Sequence, residues 1–263
     1  MNTPITIVVP CFNEEANLLH LRNTLRSVRQ SLAENYQVHL ILVDDQSTDH
    51  TWQSLQRLFG AEPDCRLFSQ PGNLGVAATI LTGIRRAQTE IVCSIDCDGT
   101  YDPHQIENLL PLLAEGVDLV TASPYHPLGR AFNVPAWRLA LSRTASTLYR
   151  HVLRNQLHTY TSCFRLYRRS AVLNLEITEG GFLGIAEMIG KLDQRGSKIV
   201  ECPAVLEARV LGQSKMNVLP VVLGHLRLIA RLLTDGAQRG PLPASPPEAV
   251  LVKSSEFDKL IGK

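Results

Sequence analysis

Three short segments concentrate the side chains able to hold ligands or move charge. They are Pro10-Cys11-Phe12-Asn13-Glu14-Glu15, Asp44-Asp45-Gln46-Ser47-Thr48-Asp49 and Asp96-Cys97-Asp98-Gly99-Thr100-Tyr101-Asp102. The third is the most informative. Its three carboxylates directly follow the apolar run Ile91 to Ile95, and they repel one another unless a cation or hydrogen-bond donors compensate. Asp96 and Asp98 alternate with Cys97, so an extended backbone turns both to one side, where hard oxygen ligands suit Mg2+ or Mn2+. The other segments also admit structural roles. Glu14 and Glu15 fit first-turn acids favoured by a helix dipole, and Asp49 or Ser47 fits an N-cap. Asp102 precedes Pro103, the pattern of a cap followed by proline at the first helical position. It is also the carboxylate nearest the pair in sequence that could serve as a general base.

The elements that must position these clusters read as an α/β alternation of short β-branched apolar runs and longer helical patterns, hence a parallel sheet covered by helices. Strands are expected at Ile5 to Val9, Val38 to Val43, Ile91 to Ile95 and Val117 to Thr121. Helices are expected at Glu14 to Glu34, Asp49 to Phe59, Val76 to Ala87 and His104 to Ala114. The second half gives helices at Ala136 to Leu153 and Leu183 to Arg195, with strands at Cys163 to Tyr167, Lys198 to Val200 and Val205 to Arg209. All three polar clusters follow strands, and ligands of open α/β sheets bind beyond the carboxyl ends of strands. The three clusters are therefore expected to meet.

A chain of 263 residues with 44% hydrophobic residues can bury a large α/β core. Its net charge of +1 excludes a generally basic nucleic-acid binder. The six cysteines are scattered, which argues against a disulfide framework or structural zinc and for a reducing compartment. The start MNTPITIVV lacks a basic n-region, so the expectation is a cytoplasmic protein, soluble or at the inner face of the membrane. Residues 217–235 form an amphipathic helix with Leu219, Val222, Leu223, Leu226, Ala230 and Leu233 on one face, and His225, Arg227 and Arg231 mostly elsewhere. That helix either packs on the domain or lies on a membrane surface. Residues 236–263 read as a flexible tail, too rich in Pro, Gly and Ala to offset their ordering entropy.

The segments PCFNEE, VDDQSTD, GNLGVAATILTGIRRA and SIDCDGTYDP occur in the order of glycosyltransferase family 2. The chain resembles that family over residues 4–216, and most of all its polyprenol-phosphate (dolichol-phosphate) sugar synthases. The resemblance implies the GT-A fold, a Rossmann-like, mostly parallel sheet flanked by helices over residues 1–216. It implies an inverting hexosyltransferase that takes a nucleotide sugar as donor and a polyprenyl phosphate, or another lipid, as acceptor. Pro10, Phe12 and Glu14 match the nucleoside loop, and Asp44 and Asp45 the acidic pair that contacts base and ribose. Asp96 and Asp98 match the DxD motif that reaches the ribose and, through Mg2+ or Mn2+, the diphosphate. Arg138 and Ser142 match a phosphate-binding pair on one helical face. Arg209 and Lys215 match the RxxGxSK loop that closes over the donor.

Four positions depart from the family pattern. Pro124 follows Ser123 in place of arginine, Thr159 and Cys163 stand where Asp and Gly are expected, and Thr100 replaces a frequent Gln. They cluster on the acceptor side and around the metal shell. Two readings of acceptor therefore stay open. A lipid phosphate is already largely ionised near neutral pH, with a second pKa of about 6, and needs little base; a hydroxyl would need one, with Asp102 the candidate. A degenerate nucleotide-binding protein is a further alternative. IVCSIDCDGT also resembles the DxDGT motif of haloacid-dehalogenase-like phosphatases, but no acidic pair follows Asp102, as that family requires. Dinucleotide binding fails because no GxGxxG follows the first strand.

Overall fold

The computed structural model describes residues 2–207 and 218–237. Period-two burial in β1 (Thr3–Cys11) sends Ile5, Ile7 and Val9 to one side and Val8 to the other, so both faces of this strand need cover. One face receives α1 (Leu18–Leu32), α2 (Thr51–Phe59) and α4 (Ile106–Leu109), which bury Leu21, Leu25, Leu55, Phe59 and Ile106 against it. The other receives α3 (Val76–Arg86), α5 (Ala136–Val152), α7 (Gly181–Gln194) and α8 (Val218–Ala237). The remaining strands are β2 (Tyr36–Asp44), β3 (Cys65–Ser69), β4 (Ile91–Ser94), β5 (Leu119–Ser123), β7 (Arg165–Arg168) and β8 (Ile199–Pro203). They form one seven-stranded sheet ordered β3-β2-β1-β4-β7-β5-β8. Its strands run parallel except β7, which is antiparallel to both neighbours. A second ribbon pairs β6 (Arg130–Phe132) with β9 (Val205–Glu207), and the short α6 (Arg169–Val172) follows β7.

The mostly parallel sheet of the sequence reading is present. The expected helix at His104 to Ala114 is broken into a 3-10 turn, the single turn α4 and a second 3-10 turn at Leu110–Leu112, because Pro111 lacks the N–H that a continuous helix needs. Strand β3 was not expected: CRLFS is short, breaks its apolar residues with Arg66, and lies at a sheet edge. Helix α8 extends to Ala237, two residues into the segment read as tail.

Helix α8 turns to the domain a different stripe from the apolar face read in the sequence. Its packed face carries Leu228, Ile229 and Leu232, while Leu223, Leu226 and Leu233 of the anticipated apolar face are exposed. Arg231 points inward. Its guanidinium bonds Glu179 (3.1 Å) and the wholly buried Glu187 of α7 (2.9 Å). His225 accepts or donates a 2.8 Å hydrogen bond with Tyr149 of α5. The helix has two apolar stripes, and the ion pairs select which one faces inward.

Helix α3 sits close enough on β1 that a Cβ on Gly83 would stand 2.2 Å from Val8 Cγ1. Gly83→Ala is expected to force the two elements apart and lower unfolding stability by about 1–3 kcal/mol. Urea denaturation of the variant measures this.

Candidate functional site

The three polar clusters meet. Asn13, in the left-handed region at φ 55°, turns the chain after β1 so that its Oδ1 accepts Thr48 N–H (2.8 Å) and its own N–H reaches Ser47 Oγ (3.0 Å). Glu14 N–H donates to Thr51 Oγ1 (2.8 Å), and Asn17 donates to the Glu14 carboxylate. The third cluster joins through Cys11 and Cys97, whose buried sulfurs lie 3.8 Å apart. All six cysteines are free thiols. Phe12 is 43% exposed at the mouth of this junction.

Asp44 and Asp45 are both buried. Asp44 accepts Ser69 Oγ (3.2 Å) and, at 3.3 Å, Ser47 N–H. Asp45 takes the N–H groups of Leu74 (2.9 Å) and Gly75 (2.8 Å), so it fixes the turn that starts α3. Gly75 has φ 84°, and a Cβ there would meet Gly181 N at 2.8 Å; only glycine fits. These acids hold loops together, a role their residue types alone did not reveal. Asp49 likewise accepts Thr51 N–H (2.9 Å) ahead of α2.

After β4 the chain turns at Gly99 (φ 69°), and Asp98 Oδ1 accepts Thr100 N–H (2.9 Å). Asp96 and Asp98 are half-buried and line a cavity of about 200 Å3 together with Thr100, Tyr101, Tyr125, Ser142, Thr159, Thr161, Ser162 and Phe182. Burial pushes the Asp96 carboxyl up to about 7, and the neighbouring Asp98 and Glu14 charges push the same way, against a hydrogen bond with Cys163 and the charge of Arg165. Asp102 caps the following turn. Its Oδ1 accepts the N–H of His104 (3.0 Å) and lies 2.9 Å from His104 Nδ1, and it does not line the cavity.

Of the pair on α5, Ser142 reaches the cavity, whereas Arg138 lays its guanidinium over the Trp137 ring at 5.2 Å. Arg209 and Lys215 lie outside the described residues. Sequence reasoning missed Arg165. It is wholly buried on β7, donating to Ile185 O (3.0 Å) and Tyr160 O (2.8 Å). A lone arginine inside the apolar run CFRLY was the available signal, because a charge is buried only where partners await it. Tyr125, which lines the cavity and carries Arg143 over its ring at 5.6 Å, was also missed.

The model of glycosyl transferase family 2 matches residues 6–175. The chain belongs to that family. It is 30% identical to the polyprenol monophosphomannose synthase of Mycolicibacterium smegmatis over 80% of each chain. It is 27% identical to the dolichol-phosphate mannosyltransferase of Pyrococcus furiosus over 87% of this chain, spanning 63% of that longer protein. The fold resembles a mannosyltransferase from Pyrobaculum calidifontis solved with GDP-Man and Mn2+ (TM-score 0.62, 18% identity, covering 92% of this chain and 66% of that one). It also resembles mannosyl-3-phosphoglycerate synthase from Rubrobacter xylanophilus (TM-score 0.67, 15% identity, covering 92% and 77%). This family-2 chain is a glycosyltransferase with the GT-A fold.

The raised pKa of Asp96 carries a sign. Its native form holds the proton between the ordinary carboxylate value and about 7, where the unfolded chain has released it, so metal-free stability falls as pH rises through that window. Asp96→Asn removes the penalty. In the presence of a chelator, the variant is expected to melt above the wild type at pH 8 and to lose that advantage near pH 4; thermal scans at both pH values check it.

Proposed function

We propose that the chain transfers a hexose from a nucleoside-diphosphate sugar to a polyprenyl phosphate, with inversion at the anomeric carbon. The observation that carries this reading is the cavity in which the half-buried Asp96 and Asp98 face Ser142 of α5. The names of the sequence relatives, polyprenol and dolichol-phosphate mannose synthases, agree with it. The loops around Phe12, Glu14, Asp44 and Asp45 would receive the nucleoside, with Phe12 offering an exposed ring. Arg209 and Lys215 are assigned to the donor by the family pattern.

The donor set fits a divalent cation. Burial first, and then the neighbouring Asp98 and Glu14 charges, hold the Asp96 carboxyl at about 7, and a cation between Asp96 and Asp98 would relieve that cost. Asp96 and Asp98 would hold Mg2+ or Mn2+, and the ion supplies charge neutralisation of the departing diphosphate. The chain's own residues place the acceptor. Ser142 presents a hydroxyl to the cavity, and Arg138 stands one turn earlier on the same helix face, suited to charge-assisted bonds with a phosphate. An ionised phosphate attacks without a base, which suits an Asp102 committed to capping.

Transfer to polyprenyl phosphate should require Mg2+ or Mn2+. Asp98→Ala should lower it about a hundredfold or more while the protein stays folded. Arg138→Ala should reduce lipid transfer much more than donor hydrolysis by water. Radiolabelled donor assays with and without acceptor give both numbers. Loss of transfer on Asp102→Asn with Arg138→Ala intact would point instead to a hydroxyl acceptor.

A peripheral membrane contact at the cytoplasmic face belongs to the same reading. Among the described residues no helix is long and apolar enough to cross a membrane. The outer stripe of α8 exposes Leu223, Leu226 and Leu233 beside Arg227, and the neighbouring α5 exposes Trp137, Leu148, Arg143 and Arg150 without one acidic residue. Such a surface suits anionic lipid. Flotation with phosphatidylglycerol vesicles, lost on Leu226→Asp and weakened by high salt, is the expected result; no flotation at low salt would assign the stripe another role.

A further inference from the structure

Part of the cavity wall is built from chain that no helix or strand holds. Residues 153–164 run between α5 and β7 without regular structure, yet they supply Thr159, Thr161, Ser162 and Cys163 to the cavity. Backbone N–H groups in such a buried stretch must find acceptors elsewhere. Two carboxylates from other elements take those of Arg154, Asn155, His158 and Thr159. At the far end, Asp193 of α7 takes the N–H groups of Arg154 (3.1 Å) and Asn155 (2.8 Å) and the Asn155 amide (2.7 Å). At the cavity end the acceptor is Glu201 of β8. Its Oε1 takes the N–H groups of His158 (2.7 Å) and Thr159 (2.8 Å), and its Oε2 takes His158 Nδ1–H (2.7 Å).

We propose that Glu201 is a positioning residue of the transfer reaction, fixing the acceptor-side wall of the cavity through His158 and Thr159. This rests on the transfer reading above. The Glu201 side chain is 7% exposed and does not line the cavity, so it acts through what it holds. Thr159 Oγ1 lies 2.8 Å from Ser123 Oγ, in a buried contact at the end of β5. Pro124 and Tyr125, the next residues, line the same cavity. The His126 ring then packs edge-on against His158, with centroids 5.5 Å apart. One carboxylate thereby fixes two loops, 123–126 and 158–163, which face the Asp96 turn. Glu201 lies opposite Thr121 in the β5–β8 register, so the sheet itself anchors it.

The test compares Glu201 with Asp193, which ties the same stretch away from the cavity. Acceptor KM is measured with short-chain polyprenyl phosphate and with 3-phosphoglycerate, GDP and UDP affinities by calorimetry, and donor hydrolysis in water. Glu201→Ala should raise the KM of whichever acceptor the wild type uses about tenfold or more, leaving nucleotide affinity and hydrolysis within about twofold. Glu201→Gln can remake all three contacts when His158 presents an unprotonated Nδ1, and should stay within about threefold of wild type. Asp193→Asn should lower the melting temperature without moving KM. Should Glu201→Ala not fold, His158→Ala, which deletes the ring's bond to Glu201 and its packing on His126 but keeps both backbone bonds to Glu201, should raise acceptor KM by a smaller factor. Unchanged acceptor KM in a folded Glu201→Ala, or an equal loss of nucleotide affinity, overturns the proposal. A wild type that uses neither acceptor defeats the lipid-phosphate reading alone. Positioning is then read by amide exchange: faster exchange over 157–163 and 123–126 with hydrolysis unchanged supports it, and unaltered exchange overturns it.

Discussion

The cost of gathering Asp96, Asp98 and Glu14 at the ends of adjacent strands is the constraint around which this chain is arranged. Asp96 lies two residues beyond β4, whose last residues are fully buried; burial and each neighbouring carboxylate make its charge less favourable. Compensation comes from β7, the one strand running against the sheet. Its reversed direction delivers residues 159–163 to the turn after β4, so that Cys163 and the buried Arg165 both favour the ionised form of Asp96. Ser94 Oγ, the last residue of β4, meanwhile bonds the carbonyl of Cys163. An all-parallel sheet in this order would have placed the opposite end of that strand at the cavity.

The same economy of partners links the outlying elements to the site. Asp45 fixes Gly75, Gly75 closes on Gly181, and Gly181 starts the helix that carries Phe182 to the cavity. Two residues earlier, Thr178 and Glu179 donate their N–H groups to Glu187 (2.9 and 2.7 Å). Burial raises the Glu187 pKa, but these bonds together with Lys191 and the Thr178 hydroxyl outweigh it, and the net shift is downward. Its stabilisation is therefore present above the ordinary carboxylate value and lost as pH falls through the depressed one. Because Arg231 completes this network, α8 is tied to the segment that shapes the cavity rim.

How much of this was legible depended on whether the information was local. Strand β1, the Asp96-Asp98 pair and the cap at Asp102 followed by Pro103 are written in adjacent residues, and the structure shows the elements and the cap where they were read. The antiparallel direction of β7 is not, since CFRLYRR has the same pattern in either direction. Nor are the tasks of Glu201, Asp193 and Glu187, whose partners come from segments that meet only through the sheet or helix packing. For α8 the periodicity was clear and its direction was not. Two apolar stripes compete for the core, and the choice is made by Arg231 finding Glu179 and Glu187, a contact no window of sequence contains.

The distribution of charge then bears on what the cavity accepts. Among the described residues lining it, the only charged side chains are Asp96 and Asp98; the rest of the polar wall is hydroxyls. The cations stand at its edge, on a helix with no acid: Arg138 against Trp137, and Arg143 over Tyr125. A phosphate drawn into the cavity would face two carboxylates, whereas one held at the rim by α5 meets arginines and exposed aromatic surface. Under the lipid-phosphate reading, this arrangement keeps the acceptor's apolar chain outside on the α5 and α8 surface and lets only its phosphate oxygen approach the donor. A compact soluble phosphate would meet the same arginines, so under that reading it is the exposed Trp137, Leu223 and Leu226 beside them, and not the charges, that favour an amphipathic acceptor.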